Sequence, residues 1–530
     1  MDIKFLIPQK IKNFYHLGQA VLANFIYGFP ASRRQAVSAS RGGPARKIKI
    51  IGVTGTNGKT TTVWMIGKIL EEAGHKVALN STINFKIGTK EWVNKTKFTT
   101  LSSFAVQKFI RNAVKGKCDY LVLETSSHSL DQFRVWGIPF AVAVITNITR
   151  EHLDYHQTME EYRKAKLKLF EKAPTIVVNL DMEKPEEYLS CNSKLKFGFT
   201  TSNPNFPAST RRDCSSTRGG QIPISNKIPN SDDQIKIIIA ENIETGIDYS
   251  NYQLQTTNYK LNLPGKFNIE NALAATCVGL SQGISLETIK KALEKIKGIP
   301  GRMEYVPNNK GFKIIIDYAV TPDSLEKLYE LINQIKNILP LEKGVLPTGG
   351  EGFEKQSENF KSSPNPSFSK GGEHKIIAVL GACGERDRGK RPIMGKIVAQ
   401  YADYVIVTNE DPYGEDPNQI INEVFSGVIS KINDNQEIKN KQIPNSLATP
   451  DLAKPDKFPI PNKIQNSFIE GENCWRILDR RKALKKALKL ARPGDFVVIT
   501  GKGAEETMAI GKDRISWKEK EVVKEELNKI

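Results

Sequence analysis

Val53-Thr54-Gly55-Thr56-Asn57-Gly58-Lys59-Thr60 is the stretch that decides how this chain folds. An apolar, β-like run, Ile48-Lys49-Ile50-Ile51-Gly52-Val53, leads into it, and a helical pattern from Thr61 to Ala73 follows. A strand, a glycine-rich turn and a helix N-terminus, in that order, make a cradle for phosphate. The turn's N–H groups point at the anion, the helix dipole favours negative charge, and Lys59 reaches the outer phosphates. Thr60 supplies the hydroxyl that ligates Mg²⁺ in such loops. Gly55, Thr56, Asn57, Gly58, Lys59, Thr60 and Thr61 are therefore expected to bind a nucleoside triphosphate. Position 53, five before Gly58, is Val where the strict P-loop has Gly, which argues against an ordinary GTPase or kinase loop.

Working outward, the 530 residues exceed what one core supports, so several domains are expected. From 47 to about 300, apolar runs at Asp119–Glu124, Ala141–Thr146 and Thr175–Leu180 read as buried parallel strands. Helical patterns at 61–73, 103–115, 158–172 and 268–282 lie between or after them. The fold class is α/β, with a central parallel-sheet domain whose ligand sits at the strands' carboxyl ends. Residues 301–530 repeat the style, with strands at Lys313–Asp317, Lys375–Leu380, Tyr404–Thr408 and Phe496–Thr500 and helices at 323–338, 391–401, 417–431 and 480–491. This is a second, Rossmann-like domain, without the GxGxxG turn that would bind a dinucleotide. Three stretches, about 201–232, 341–373 and 434–470, are rich in Pro, Asn, Ser and Lys and reuse fragments such as Ile228-Pro229-Asn230-Ser231 and Ile443-Pro444-Asn445-Ser446. Such composition cannot bury enough apolar surface to offset ordering, so these read as disordered surface insertions.

Residues 1–46 form a short N-terminal segment. Phe14, Tyr15, Leu17, Val21, Leu22, Phe25 and Ile26 lie near one helical face, and Arg33, Arg34, Arg41, Arg46 and Lys47 follow. Two readings stay open: a helix packed on the nucleotide-binding domain, or a basic amphipathic element resting peripherally on an anionic membrane. A formal charge of +19 suits anionic small-molecule partners; no zinc finger or RNA-recognition motif is present, so no nucleic acid is expected. Six scattered cysteines without a CxxC pair suit a reducing, cytoplasmic compartment.

Two further runs carry chemistry, each directly after a strand. Glu124-Thr125-Ser126-Ser127-His128 places a carboxylate where it can meet the loop's Mg²⁺. Thr146-Asn147-Ile148-Thr149-Arg150-Glu151-His152 brings an imidazole to the same crevice, where His152 and Glu124 could share a metal. Lys166 lies on the helix after His152, beside Leu167, Leu169 and Phe170, company in which a lysine ordinarily snorkels to the surface.

Taken in order, Thr54–Thr62, Glu124–Arg134, Asn147 to Lys166, Asn268 with Asn271, Gly301-Arg302-Met303-Glu304, Asp317-Tyr318-Ala319 and Gly384 to Pro392 resemble the Mur ligase superfamily, nearest to its UDP-N-acetylmuramoyl-tripeptide synthetases. The resemblance covers about 47–200, 260–340 and 375–515. It implies a cytoplasmic ligase of peptidoglycan synthesis, in which ATP phosphorylates a substrate carboxylate and an amino group captures the acyl phosphate; the oligomeric state is left open, with a monomer favoured. Lys59, Glu124, His152 and Lys166 are then the catalytic set. Thr60, Glu124, His152 and Lys166 hold two Mg²⁺ ions, Lys166 as a CO₂-derived carbamate. Asn271, Arg302 and Asp317 correspond to further ATP contacts. Thr99, Thr100, Ser126, Gln132 and Arg134 correspond to positions that hold the UDP-muramoyl peptide. Arg386, Glu410, Asp411, Pro412, Tyr413, Gly501 and Glu505 correspond to the amino-acid subsite.

Departures matter as well. Members that add diaminopimelate carry Asp-Asn-Pro-Arg where this chain reads Glu410-Asp411-Pro412-Tyr413, and a phenol cannot form a bidentate pair with a distal carboxylate. This weighs against diaminopimelate and opens the subsite to lysine or another amino acid, without deciding which. The 46 residues ahead of the central domain are fewer than the family's uridine-gripping domain usually takes up. That favours one rival reading, a cousin with a folyl or lipid-linked acceptor; a separate reading, a non-catalytic, membrane-docked nucleotide-binding scaffold, is opposed by the intact Lys59, Glu124, His152 and Lys166.

Overall fold

The computed structural model describes residues 9–32, 47–96, 98–202, 235–338, 374–430, 468–511 and 513–530. The expected insertions at 201–232, 341–373 and 434–470 lie outside these residues except at their edges. There Thr201 and Ser202 continue from a strand, and Phe468 to Glu470 lead into another, so structure extends further than composition suggested.

The helix Gln9–Tyr27 (α1) comes first. The strand Lys49–Thr54 (β1) then runs through the loop into the helix Lys59–Glu72 (α2). The strands Val77–Asn80 (β2), Asn84–Ile87 (β3) and Lys90–Val93 (β4), the helix Ser103–Lys115 (α3), and the strands Tyr120–Glu124 (β5), Phe140–Ile145 (β6), Thr175–Asn179 (β7), Leu195–Thr200 (β8) and Ile235–Ile239 (β9) follow. Together the strands make a nine-stranded sheet of order β4-β3-β2-β5-β1-β6-β7-β8-β9. From β2 to β9 the pairing is parallel, and β3 and β4 add antiparallel strands at one edge. Both faces of a parallel sheet must be covered. Ile51 and Val53 pack with Met65 and Ile69 of α2 and with Ile269 and Leu273 of the helix Lys266–Ser281. Ile50 points the other way, into a cluster with Val106, Phe109 and Ile110 of α3 and Tyr162 of the helix Met159–Leu167. That last helix ends five residues earlier than its pattern predicts, in a short turn before β7.

An antiparallel sheet of Glu241–Thr245 (β10), Ser250–Leu254 (β11) and Thr257–Leu261 (β12), absent from the sequence reading, extends the first core through Tyr252, Leu254, Tyr259 and Leu261. The second α/β unit is a six-stranded sheet. Its strands are Glu304–Tyr305 (β13), Lys313–Asp317 (β14), Ile376–Leu380 (β15), Tyr404–Thr408 (β16), Cys474–Ile477 (β17) and Phe496–Thr500 (β18), in the order β13-β14-β18-β15-β16-β17, with only β13 antiparallel. A hairpin, Thr507–Ile510 with Asp513–Ser516, and a closing helix, Glu519–Leu527, complete it.

The first reading of α1, a helix packed on the nucleotide-binding unit, is borne out on one face of the helix. Ala20, Ala23 and Asn24 are buried, and Asn24 Nδ2 donates to the carbonyl of Trp136 at 3.0 Å. No helix among the described residues is long and apolar enough to cross a membrane, and no disulfide joins the five described cysteines.

Candidate active site

Adjacency in the sheet assembles the site. Strands β5 and β6 flank β1 in parallel register, so the three loops leaving their carboxyl ends converge. The loop itself requires glycine at two points. Gly55 has φ +146, and a Cβ there would lie 1.9 Å from Thr146 Oγ1. Gly58 has φ +81, and a Cβ there would lie 2.2 Å from Asn271 Oδ1. The loop after β6 staples the turn: Thr56 N donates to the Asn147 carbonyl, Asn57 N to Asn147 Oδ1, and Thr146 Oγ1 to the Asn57 carbonyl.

Glu124 stands at the end of β5. Its Oε2 accepts from Thr60 Oγ1 at 3.0 Å and from Thr82 N at 2.8 Å, and its Oε1 accepts from Thr82 Oγ1 at 2.9 Å. Thr82 is a supporting residue that the sequence reading missed; it sits in the β2–β3 turn, itself unforeseen. Lys59 Nζ donates to the carbonyls of Gly55 and Thr56, and burial lowers its pKa while Glu124 opposes that shift. Lys166 is not a snorkelling surface residue. It is fully buried under the turn, donating to the Gly55 carbonyl at 2.9 Å with Nζ 4.4 Å from the centre of the Tyr162 ring. Burial, with Lys59 adding to it, lowers its pKa well below the usual ammonium value, so the neutral amine is accessible there.

His152 begins the short helix Leu153–His156 in a left-handed conformation, φ 58. Its ring packs edge-on to His128 at 4.7 Å, and His156 completes the cluster through Ser127, at 3.0 Å from Nε2 to Oγ. Desolvation keeps all three imidazoles neutral, with His128 lowered to about 3, His156 to about 4 and His152 well below 6.5.

The second unit closes over this crevice. Arg302 Nη2 lies 3.4 Å from Thr60 Oγ1, and its guanidinium stacks on Tyr318 at 4.7 Å. Asp317, at the end of β14, accepts from Met303 N at 2.7 Å. Asn57 Nδ2 donates to Asp323 at 2.8 Å, and Lys390 Nζ meets Glu151 Oε1 at 2.9 Å. Glu151 and Lys390 were not singled out from the sequence, although one adjoins His152 and the other lies inside the Gly384–Pro392 run.

Between the units lies a cavity of about 330 Å³. Lys59, Thr60, Thr61, Thr99, Thr100, Glu124, Ser126, Arg134, His152, Asn271, Arg302, Asp317, Arg386, Asp411, Tyr413 and Glu505 reach its wall, whereas Lys166 lies behind the turn. Four expected substrate contacts do not reach it. Gln132 is buried behind the wall. Glu410 lies beneath the β16 loop with Oε1 3.1 Å from Cys383 Sγ, its acidity weakened by burial. Gly501 packs on that carboxylate, where a Cβ would be 2.5 Å from Oε2, and the Pro412 carbonyl packs on Gly384. These residues shape the wall instead. Lys502, fully buried, pairs with Asp411 at 2.9 Å and with Glu505, which fixes two of the carboxylates on the cavity wall.

A triphosphate loop on one parallel sheet, closed by a second α/β unit, defines a two-lobed, nucleotide-dependent enzyme. Residues 53–279 match the Mur ligase middle domain, and residues 367–503 match the Mur ligase, glutamate ligase domain. The chain is 33% identical to the UDP-N-acetylmuramoyl-L-alanyl-D-glutamate–2,6-diaminopimelate ligase of Clostridium botulinum, over 92% of this chain and 80% of that protein. It is 32% identical to the UDP-N-acetylmuramyl-tripeptide synthetase of Roseiflexus, over 91% and 79%. Among solved structures, Mycobacterium tuberculosis folylpolyglutamate synthase shares the fold at 15% identity, with TM-score 0.56 and 92% of both chains covered. This chain belongs to the Mur ligase family, whose members are ATP-dependent ligases.

Proposed function

We propose that this protein adds an amino acid to UDP-N-acetylmuramoyl-L-alanyl-D-glutamate in peptidoglycan precursor synthesis, releasing ADP and phosphate. The observation that carries the proposal is the convergence of Lys59, Glu124 and His152 on one cavity with Arg302, Arg386 and Glu505 of the second lobe, and with Lys166 directly behind the turn. The names of the Clostridium and Roseiflexus relatives support the acceptor. We assign the nucleotide-binding domain to 47–300 and the closing domain to 301–530.

The turn's N–H groups and Lys59 hold the β- and γ-phosphates in line with the acceptor carboxylate, which takes the γ-phosphoryl group as an acyl phosphate. Arg302, next to Thr60, balances charge that develops on the transferred group. The incoming amine then attacks the acyl carbon, and phosphate leaves. Mg²⁺ is a hard cation that takes oxygen ligands, and the Thr60 hydroxyl and Glu124 carboxylate, 3.0 Å apart, fit it. When bound, it neutralises the phosphate oxygens. Neutral His152 offers a lone pair on the wall of the same cavity. The Lys166 amine, held uncharged, can attack CO₂ and release one proton, leaving a carbamate anion in place of a neutral amine. Asn271 and Asp317 face the nucleotide; Thr99, Thr100, Ser126 and Arg134 face the acceptor; and Arg386, Asp411, Tyr413 and Glu505 face the amino acid. With Tyr413 at the subsite, the amino acid is lysine or another lacking the distal carboxylate of diaminopimelate. Cytoplasmic residence and a monomeric state belong to the same proposal.

Purified protein given ATP, Mg²⁺, the UDP-muramoyl dipeptide and an amino-acid panel should release phosphate only with acceptor and a preferred amino acid. Release with a folyl acceptor and none with any muramoyl acceptor would overturn the assignment.

A further inference from the structure

Helix α1 carries its apolar surface on the outside. Ile11, Phe14, Tyr15, Leu22, Phe25 and Ile26 are 53–74% exposed and fall at helical spacing on one stripe about 22 Å long. The inner face holds the small and polar residues, and it is fixed. Asn13 Nδ2 donates to Asp131 at 2.8 Å, Gln9 Nε2 donates to the Tyr155 hydroxyl at 3.0 Å, and Asn24 is locked to Trp136 and Gly137. Turning the stripe inward would break all three anchors. Trp136, 40% exposed, extends the patch at the helix's carboxyl end.

The helices that carry and flank the stripe, α1 and α3, hold no acidic residue, although Asp131 anchors the inner face and Asp154 adjoins Tyr155. Lys108, Arg111 and Lys115 are exposed on α3, with Arg111 6.0 Å from the Tyr27 ring. In the sequence, Arg33, Arg34, Arg41, Arg46 and Lys47 follow α1. We propose that α1 seats this protein on a bilayer surface containing anionic lipid, its stripe lying in the plane between the headgroups. An in-plane helix with an apolar face and a basic rim is the physical form of such a contact. Aromatic rings at both ends of the stripe suit the headgroup level. A second copy of the chain fits less well, because a two-fold pairing of stripes brings two basic rims together. The anchors at Asp131 and Tyr155 hold the docked helix beside the loop of His152, so the surface contact lies next to the wall that bears Ser126 and Arg134. This inference does not depend on which acceptor the site takes.

Flotation of the full chain with phosphatidylcholine vesicles, with and without phosphatidylglycerol, tests it. The protein should float with the anionic vesicles and release as salt rises. Phe14→Glu with Phe25→Glu, both on the exposed face, should lower the bound fraction about tenfold, with melting temperature and soluble-substrate turnover unchanged. Equal flotation of wild type and variant, or no flotation of the wild type, would overturn it. So would a wild-type dimer that the variant turns into a monomer in sedimentation equilibrium.

Discussion

The Glu151–Lys390 pair is the sharpest place to perturb the closed enzyme. The two groups meet at 2.9 Å across the lobes with side chains only 7% and 12% exposed, and Lys390 Nζ also donates to the Val320 carbonyl. Burial by itself would lower the Lys390 pKa, but the Glu151 carboxylate outweighs it and the net shift is upward. Removing one partner of a buried pair costs about 3–5 kcal/mol while the other stays buried. Here opening the lobes returns the orphaned charge to water, so the closed form loses the low end, about 3 kcal/mol. At 1.4 kcal/mol per decade, that lowers the closed population about a hundredfold. Glu151→Gln and Lys390→Met should each cut kcat/KM by up to that factor in the phosphate-release assay. The double variant should recover about tenfold, because no charge is then stranded. Affinity for a fluorescent ADP analogue should fall far less than kcat/KM, since the Gly55–Thr61 turn is untouched and only the closing lobe's contacts are weakened. A coupling energy below about 0.5 kcal/mol in the double-mutant cycle would refute the latch and give the two residues independent roles.

Lys166→Ala should lower turnover roughly a hundredfold or more, with partial rescue by formate or acetate and retained nucleotide binding; full activity would remove Lys166 from the mechanism. Tyr413→Arg should raise kcat/KM for meso-diaminopimelate relative to lysine about tenfold, and an unchanged ratio would place the distal end of the amino acid elsewhere. Acid should destabilise the fold through His156, whose folded-state pKa of about 4 lies below its unfolded value near 6.5. The unfolded chain gains the proton first, so stability is present above about pH 6.5 and is lost as pH falls toward 4. The loss from this one buried residue is about 2 kcal/mol at pH 5. His156→Gln should flatten melting temperature against pH, and a wild-type melting temperature constant from about pH 7 to 5 would contradict the assignment.

The elements legible in the sequence are those buried on both faces. Tyr120–Glu124, Phe140–Ile145, Lys313–Asp317 and Phe496–Thr500 read as unbroken apolar runs because helices cover both sides of a parallel sheet. Lys90–Val93, Glu241–Thr245 and Asp513–Ser516 stayed hidden for the opposite reason: they are short antiparallel strands, largely solvent-facing, without clean alternation.

The same distinction orders the site. Residues at the ends of the central strands could be placed together from sequence, since phosphate chemistry at a strand's carboxyl end is a property of the strand and its next turn. Glu151 and Lys390 could not, because their contact joins positions 239 apart on two separate sheets. Glu410 and Gly501 expose a further gap: a motif position can matter by supporting the residue that touches the ligand. Lys166 is the instructive case. Its apolar neighbours suggested a snorkelling surface lysine, yet Thr158 caps the helix Met159–Leu167 so that Tyr162, Ala165 and Lys166 all turn inward. A lysine stem that in another register would have covered apolar surface is driven instead beneath the Gly55 carbonyl, where desolvation and Lys59 work against its charge. An amine in that position is costly unless it is neutral or converted to an anion, and a Lys166→Met variant that is more stable yet inactive would be the signature of that cost.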